Sequence, residues 1–152
     1  MAMQNIKILL LEHINKLLDE RIETAKRSIL SARESRDSDT KSSAGDKYET
    51  GREMVQQEMD KYQLQLSNTR ALKNDLSRMK PEEKHDQVGF GSLVVTSCGN
   101  YFISVPIGKI SIQPEDVYCI SMASPVGRLL NGKKEGEQFL FRGKNQAVHT
   151  IL

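Results

Sequence analysis

Residues 8–32 carry apolar side chains at alternating spacings of three and four residues. The repeat runs through Ile8, Leu11, Asn15, Leu18, Ile22, Ala25, Ile29 and Ala32. Such an a/d heptad pattern is typical of a helix that packs along a partner helix in a coiled coil. Asn15 is the one polar residue of the repeat, and a polar residue at such a position can fix the register or the choice of partner. The pattern therefore predicts a long helix with one apolar seam.

A second segment, from Tyr48 to Leu76, continues the same rhythm less regularly. It contains no helix breaker from residue 52 onward, and Pro81 marks its expected end. Two helices, each roughly 40 Å long and joined by a short polar connection, predict an antiparallel hairpin. A dimer of straight helices is the alternative. We assign residues 1–80 to an antiparallel coiled-coil hairpin, with a polar acidic tip around residues 35–47.

From Gln87 onward, short runs rich in β-branched and aromatic residues replace the heptads, and each run is bounded by Gly, Pro, Asn or Asp. They predict strands in VGFGSLVVTS, YFISVPIG, KISIQ, DVYCIS, EQFLFRG and AVHTIL. Between the fourth and fifth runs, the sequence predicts a short helix with Ser124 as N-cap, Pro125 at its first position and Gly132 near its end. After a charged linker at 79–87, residues 87–152 should form a small β-rich domain. The predicted fold class is α+β.

Composition and motifs argue against several classes of protein. A net charge of +2 is too small to indicate a nucleic-acid binder by itself. His13, His85 and His149 are dispersed, and the chain has no HExxH, GxSxG or P-loop motif, so a self-contained enzyme site is not expected. Cys98 and Cys119 are too few for a four-cysteine zinc site and are expected to be buried free thiols. The N-terminus shows no cleavage site or long apolar span, and we expect a cytoplasmic protein.

The tip contains three acids, Asp37, Asp39 and Asp46, which are the candidate catalytic residues. Carboxylate oxygens suit Mg²⁺, which often uses one or two of them and keeps several waters. Acids in such a loop cannot hold a metal tightly alone. They can complete a site elsewhere that already holds a metal and a phosphodiester. The alternative is that the tip is a solvated turn whose acids have no special role.

Basic residues surround these acids along both predicted helices. Those closest to the tip are Arg33, Arg36, Lys41, Lys47 and Arg52. A positive collar around an acidic point suits a probe that enters a channel near nucleic acid. A salt-bridged helical surface is the alternative, because glutamates at positions 34, 49 and 53 lie among the basic residues.

The stretch DVYCISMASPVGRLLNGKKEGEQFLF resembles the C-terminal domain of the bacterial Gre transcript-cleavage factors, the GreA/GreB family. The shared pattern is a strand ending in Ile-Ser, an SP pair, a short helix with an arginine, an L-x-G-K turn, and a glycine and an acid before a strand. Here these are Ile120–Ser121, Ser124–Pro125, Arg128, Leu130–Lys133 and Gly136–Glu137. VGFGSLVVTS is similar to that domain's first strand, and the layout of a helical hairpin before a β-rich domain is also similar.

The resemblance implies that residues 87–152 form an FKBP-like domain that docks on the rim of RNA polymerase. Asp116, Ser121, Ser124 and Pro125 are the expected contacts, although Ser124 and Pro125 could equally serve only to cap the short helix. The coiled coil would enter the secondary channel, where the tip acids help to hold the Mg²⁺ of a backtracked complex. The expected partners are bacterial RNA polymerase and the nascent RNA and DNA of the elongation complex, with no membrane. We expect a monomer without a cofactor of its own, which shares Mg²⁺ with the polymerase.

The tip departs from the family pattern A-R-E-x-G-D-L-S-E-N-x-E-Y, in which an Asp and a Glu lie three residues apart. One alignment puts Asp37 at the family's Asp and Thr40 at its Glu. Another puts Gly45–Asp46 over the family's Gly-Asp, with Glu49 at the three-residue spacing. The expected function is a transcription elongation factor that stimulates cleavage of backtracked RNA. The alternatives are a channel regulator of initiation or pausing that does not promote cleavage, a prolyl isomerase or peptide binder, and a coiled-coil adaptor.

Overall fold

The structure is a computed structural model. It describes the backbone of residues 3–39, 46–112 and 115–152, and the side chains of residues 5–38, 50–112 and 115–152. The fold is α+β, as predicted: two long helices precede a six-stranded mixed sheet that carries one short helix. By contacts the chain forms two compact units, Met1–Ile14 with Asp75–Leu152, and Asn15–Asn74. The domain division at 79–87, which was predicted from composition, stays a prediction.

The two long helices are α1 (Met3–Asp39) and α2 (Asp46–Ser77). Within the unit Asn15–Asn74 they run antiparallel. Lys73 of α2 forms an ion pair with Asp19 of α1, and Arg36, near the end of α1, donates to the Oε1 of Gln56 at 3.2 Å. The helices therefore pair within one chain, as the hairpin prediction requires. In the described chain, neither helix is long and apolar enough to cross a membrane.

The seam of the helix pair follows the predicted heptad repeat from Leu18 onward. Leu18, Ala25 and Ala32 lie seven residues apart, and all three are buried. On α2, Met59 is buried as well. Two of these three residues are alanines, so the seam contains little apolar side-chain volume in this part of the helix pair.

The predicted phase of the repeat is wrong in the first two turns of α1. Ile8 is 43% exposed, whereas Leu10 and Ile14 are fully buried. Lys7 is buried too, and its Nζ donates to the carbonyl oxygen of Glu83 at 3.2 Å. Burial lowers the pKa of Lys7, although the charge of Glu83 opposes this. These turns belong to the unit that contains the sheet, so a two-helix repeat does not determine which of their faces is buried.

The six strands have the bounds β1 Leu93–Thr96, β2 Gly99–Ile103, β3 Gly108–Ile112, β4 Glu115–Ile120, β5 Gln138–Phe141 and β6 Lys144–Ile151. They form one sheet in the order β3–β4–β2–β1–β6–β5. Neighbouring strands are antiparallel except β2 and β4, which are parallel. The six predicted runs coincide in chain order with the six strands, except that the second run ends at Gly108, the first residue of β3. The local strand predictions are therefore confirmed.

The short helix α3 (Pro125–Leu130) follows β4, with Ser124 as its N-cap and Pro125 in its first turn, as predicted. Its Val126 and Leu130 belong to the core cluster, which also takes residues from β1, β2, β5 and β6. The core cluster consists of Val88, Val94, Tyr101, Ile103, Val126, Leu130, Phe139, Val148 and Ile151. The helix is therefore fixed to the sheet through two of its six residues.

The prediction of buried thiols is correct for one cysteine and wrong for the other. Cys119 in β4 is buried, and burial raises the pKa of its thiol to about 12. Cys98 is exposed. It lies in the two-residue turn between Thr96 and Gly99, with its Sγ 4.0 Å from the Oγ of Ser97.

Candidate functional site

The segment that is predicted to contact polymerase, called the docking segment below, comprises residues 121–133 and leads from the end of β4 through α3. The Oγ of Ser124 accepts a hydrogen bond from the N–H of Gly127 at 3.0 Å and donates to the carbonyl oxygen of Ser121 at 2.8 Å. The N–H of Ser124 also donates to that carbonyl, at 3.1 Å. Ser124 and Pro125 therefore do cap the helix, and Ser121 takes part through its backbone. Their contact with polymerase stays a prediction.

Gly127 is required by close packing in the docking segment. A Cβ at this position would lie 2.3 Å from the carbonyl oxygen of Ser121, 2.8 Å from the Oγ of Ser124 and 3.0 Å from the carbonyl oxygen of Met122. Sequence reasoning missed this residue. The available signal was a glycine inside a very short helix, where helix propensity alone disfavours it.

The end of the docking segment is held by Val88. The N–H of Val88 donates to the carbonyl oxygen of Lys133 at 2.8 Å, and the N–H of Gly132 donates to the carbonyl oxygen of Val88 at 2.9 Å. Gly132 has a φ of +78°, which suits a glycine after a helix. Sequence reasoning placed Val88 in a strand and missed this pairing. The docking segment is therefore held at both ends.

The exposed side chains of α3 are Pro125, Arg128 and Leu129, while Val126 and Leu130 are buried. The outward face thus combines an apolar ring, a cation and an aliphatic side chain on a support with both ends fixed. Arginine and apolar groups on a rigid surface are typical of protein–protein contacts. This face can therefore bind another protein without first having to order itself.

Asp116, the fourth predicted contact, lies at the opposite end of β4 from the docking segment. Its Oδ1 accepts a hydrogen bond from the Oγ of Ser111 at 2.7 Å, and its Oδ2 lies 3.7 Å from the Nζ of Lys109. Ser121 lies five positions further along the chain, or roughly 16 Å away at about 3.3 Å per residue. The structure therefore brings Ser121, Ser124 and Pro125 together and places Asp116 apart from them.

At the tip, Asp37 is exposed in the last described turn of α1, with its Oδ1 3.5 Å from the Nε of Arg36. Asp39 ends α1 and Asp46 begins α2, so the two helix ends bring these acids to the same connection. The side chains of Asp39 and Asp46 lie outside the described residues. Whether the three carboxylates converge on a metal therefore stays a prediction.

The predicted basic collar is described for three of its five residues. Arg33 and Arg52 are exposed. Arg36 is half-buried and contacts both Asp37 and Gln56, so it takes part in holding the helices together. Lys41 and the side chain of Lys47 lie outside the described residues. Exposure does not distinguish a positive collar from a salt-bridged helical surface, so the role of these arginines stays a prediction.

Metal-ligating side chains do not cluster in the part of the chain that the structure describes. No group of three or more His, Cys, Asp or Glu side chains there could hold a metal ion. The predicted sharing of Mg²⁺ with a polymerase depends on tip acids, two of which lie outside that part. The binding of Mg²⁺ by the tip acids therefore stays a prediction.

Comparisons with known proteins find likenesses among solved structures. No protein family profile matches the chain, and no curated protein matches it. Among solved structures, the chain is similar to the one titled "Structure of the transcription factor Gfh1". The two are 19% identical, the similarity covers 93% of this chain and 92% of that one, and the TM-score is 0.35.

Proposed function

We propose that this protein is a transcription elongation factor that binds bacterial RNA polymerase and stimulates cleavage of backtracked nascent RNA. It acts as an accessory factor, not as an enzyme by itself. The β-rich part docks on the rim of the polymerase, and the coiled coil enters the secondary channel. The tip acids then complete the polymerase's own Mg²⁺-dependent site.

The observation that carries this proposal is the docking segment. The residues that resemble the Gre pattern, from the end of β4 to the start of β5, fall on one rigid feature that Ser124 caps and Val88 closes. Within this feature, the exposed side chains of the helix α3 are Pro125, Arg128 and Leu129. A sequence pattern that maps onto a fixed, outward-facing helix supports a role in binding, because packing alone does not explain its exposed residues.

The chemistry assigned to the tip is limited by what carboxylates in a loop can do. They add negative charge near a divalent cation, which helps to retain it, and they can orient a water for attack on a phosphodiester. Exposed arginines on either side of the tip, Arg33 and Arg52, lower the cost of bringing these acids near a phosphate backbone. The polymerase supplies the remaining ligands, the RNA and the catalysis.

A second candidate function is a channel regulator that binds the polymerase and does not promote cleavage. The specific observation in its favour is the altered spacing of the tip acids, with Thr40 where the family pattern has a glutamate.

A cleavage assay on purified polymerase, stalled in a backtracked complex, separates the two candidates. We expect added protein to increase release of 3′ RNA fragments at saturating Mg²⁺. The triple variant Asp37→Asn, Asp39→Asn and Asp46→Asn should lose that increase. Asp75→Asn, which removes an exposed acid near the end of α2, is the matched control. No increase with the wild-type protein would rule out cleavage stimulation and leave the regulator as the better assignment.

Docking is tested by Pro125→Glu. Glutamate in the first turn of a helix is compatible with the helix dipole, so α3 should remain folded while its exposed surface changes. We expect binding to core polymerase to weaken at least tenfold, because a charge is forced into an apolar contact. Unchanged affinity would exclude α3 from the interface.

A further inference from the structure

The turn between β5 and β6 holds a strained arginine. Phe141 pairs with Lys144, so the turn has two residues, Arg142 and Gly143. Their φ values are 50° and 77°, and a type I′ turn needs positive φ at both positions. Among the described residues, Arg142 is the one non-glycine with a positive φ. Asn, Asp and Gly suit this position, whereas a long side chain there strains the backbone.

The contact between Arg142 and the ring of Phe141 does not explain why an arginine occupies this position. Its Cζ lies 5.1 Å from the centroid of the Phe141 ring, within range of a cation–π contact. At an exposed position such a contact is no stronger than the strain of a left-handed residue, so the two roughly cancel. Asparagine at the same position would form the turn without that strain. The stability of the fold therefore gives little reason for an arginine.

The guanidinium is nevertheless held in place and open to solvent. Arg142 is exposed, and within the described residues no hydrogen bond or ion pair engages it. The ring beneath it, Phe141, is partly buried against the core cluster. The exposed Lys144 pairs with Phe141 across the two strands, and it adds a second positive charge on the same side of the hairpin. The N–H donors of the guanidinium thus lie on a fixed aromatic ring next to a second cation.

We propose that the β5–β6 turn is a second contact with RNA polymerase and that it binds an acidic segment of the polymerase surface. The inference rests on the proposed function. An arginine pre-positioned on an aromatic ring is typical of the residues that dominate protein–protein affinity, and with Lys144 it favours an acidic partner. A nucleic-acid backbone fits less well, because its phosphates call for a longer row of cations than Arg142 and Lys144 provide.

Three substitutions of Arg142 separate the effect of its charge from the effect of its backbone strain. Arg142→Asn improves the turn and removes the charge, Arg142→Asp improves the turn and reverses the charge, and Arg142→Lys keeps both the strain and the charge. Lys84→Asn, which removes an exposed charge from a loop elsewhere, is the control. We expect Arg142→Asn to leave the Tm unchanged or to raise it by up to about 2 °C, because the strain that it removes is at least as large as the cation–π contact that it loses. Its affinity for core polymerase should fall about fivefold, with a larger fall for Arg142→Asp and a smaller one for Arg142→Lys.

Each outcome bears on a different step. Wild-type affinity in Arg142→Asn would overturn the inference and leave the proposed function intact, whereas a wild-type protein that does not bind polymerase would overturn both. A loss seen with complexes that carry nucleic acid, but not with core enzyme, would overturn the acidic protein segment as the partner. A lower Tm for Arg142→Asn would also overturn the inference, since the side chain would then serve the fold.

Discussion

At Gly127 a single hydrogen atom in place of a side chain decides whether the docking segment can form. The carbonyl oxygen of Ser121 would lie 2.3 Å from a Cβ at this position, and that oxygen is fixed by two hydrogen bonds from Ser124. Neither the carbonyl nor the capping hydroxyl can move away without breaking the cap. The local structure of the segment therefore depends on the glycine more than on any exposed residue.

We predict that Gly127→Ala lowers the free energy of unfolding by about 2–3 kcal/mol, the usual cost of forcing an extra methyl group into a packed site. Urea unfolding followed by circular dichroism measures the change. Gly89→Ala is the control, because nothing lies within 4 Å of a Cβ there and its expected change is close to zero. Equal stabilities for the two variants would show that the docking segment relaxes around the methyl group.

The two cysteines should differ sharply in their reactivity. Burial raises the pKa of Cys119 to about 12, so at pH 8 its thiol is protonated as well as inaccessible. Cys98 is exposed in a turn. We predict that an aromatic disulfide reagent modifies one thiol per native chain at pH 8 and two in denaturant. Rapid modification of both thiols in the native protein would contradict the buried position of Cys119, and Cys98→Ser identifies the fast site.

At the scale of helices and strands, the sequence predicts those features that residues close together in the chain determine. The heptad repeat around Leu18, Ala25 and Ala32 predicts the helix pair because one partner helix sets the period. The helix α3 is predicted because Ser124 and Pro125 are start signals that act within one turn. The pairing of Val88 with Lys133 joins distant parts of the chain, and no local pattern indicates it.

The difference between local signals and distant contacts also explains which parts of the candidate site could be predicted from the sequence. The docking segment has a local signature, whereas its separation from Asp116 depends on the length and direction of β4. The phase error around Ile8 has a similar cause, because contacts from far along the chain select the buried face there. The strain at Arg142 is visible only once the register of β5 and β6 is known.

The capping role of Ser124 gives a prediction at this scale. Both hydrogen bonds of its Oγ are internal, so Ser124→Ala should cost about 1 kcal/mol of stability and weaken polymerase binding through a loosened helix. Asparagine is also a good N-cap, and Ser124→Asn should restore both properties. Chemical denaturation and a polymerase-binding assay on the same variants measure them. Restored stability without restored binding would mean that the hydroxyl itself contacts the polymerase.

At the scale of the whole molecule, the proposed function divides binding and chemistry between two parts of one chain. The candidate docking surfaces belong to the unit that contains the sheet, and Asp37 belongs to the unit of the helix pair. In such an arrangement affinity and cleavage are separable. A protein that keeps its docking segment and loses its tip acids should still occupy the polymerase.

We therefore predict that the triple variant Asp37→Asn, Asp39→Asn and Asp46→Asn inhibits cleavage stimulated by the wild-type protein. With equal affinities and a tenfold excess of variant over saturating wild type, mass action leaves about a tenth of the stimulated rate. Release of 3′ RNA fragments from a backtracked complex, measured across a titration of the variant, gives this fraction. The control carries Pro125→Glu in addition, and it should not inhibit because it no longer competes for the polymerase. Undiminished cleavage at tenfold excess of the triple variant would mean that the tip acids themselves contribute to binding, and the division between docking and chemistry would then be wrong.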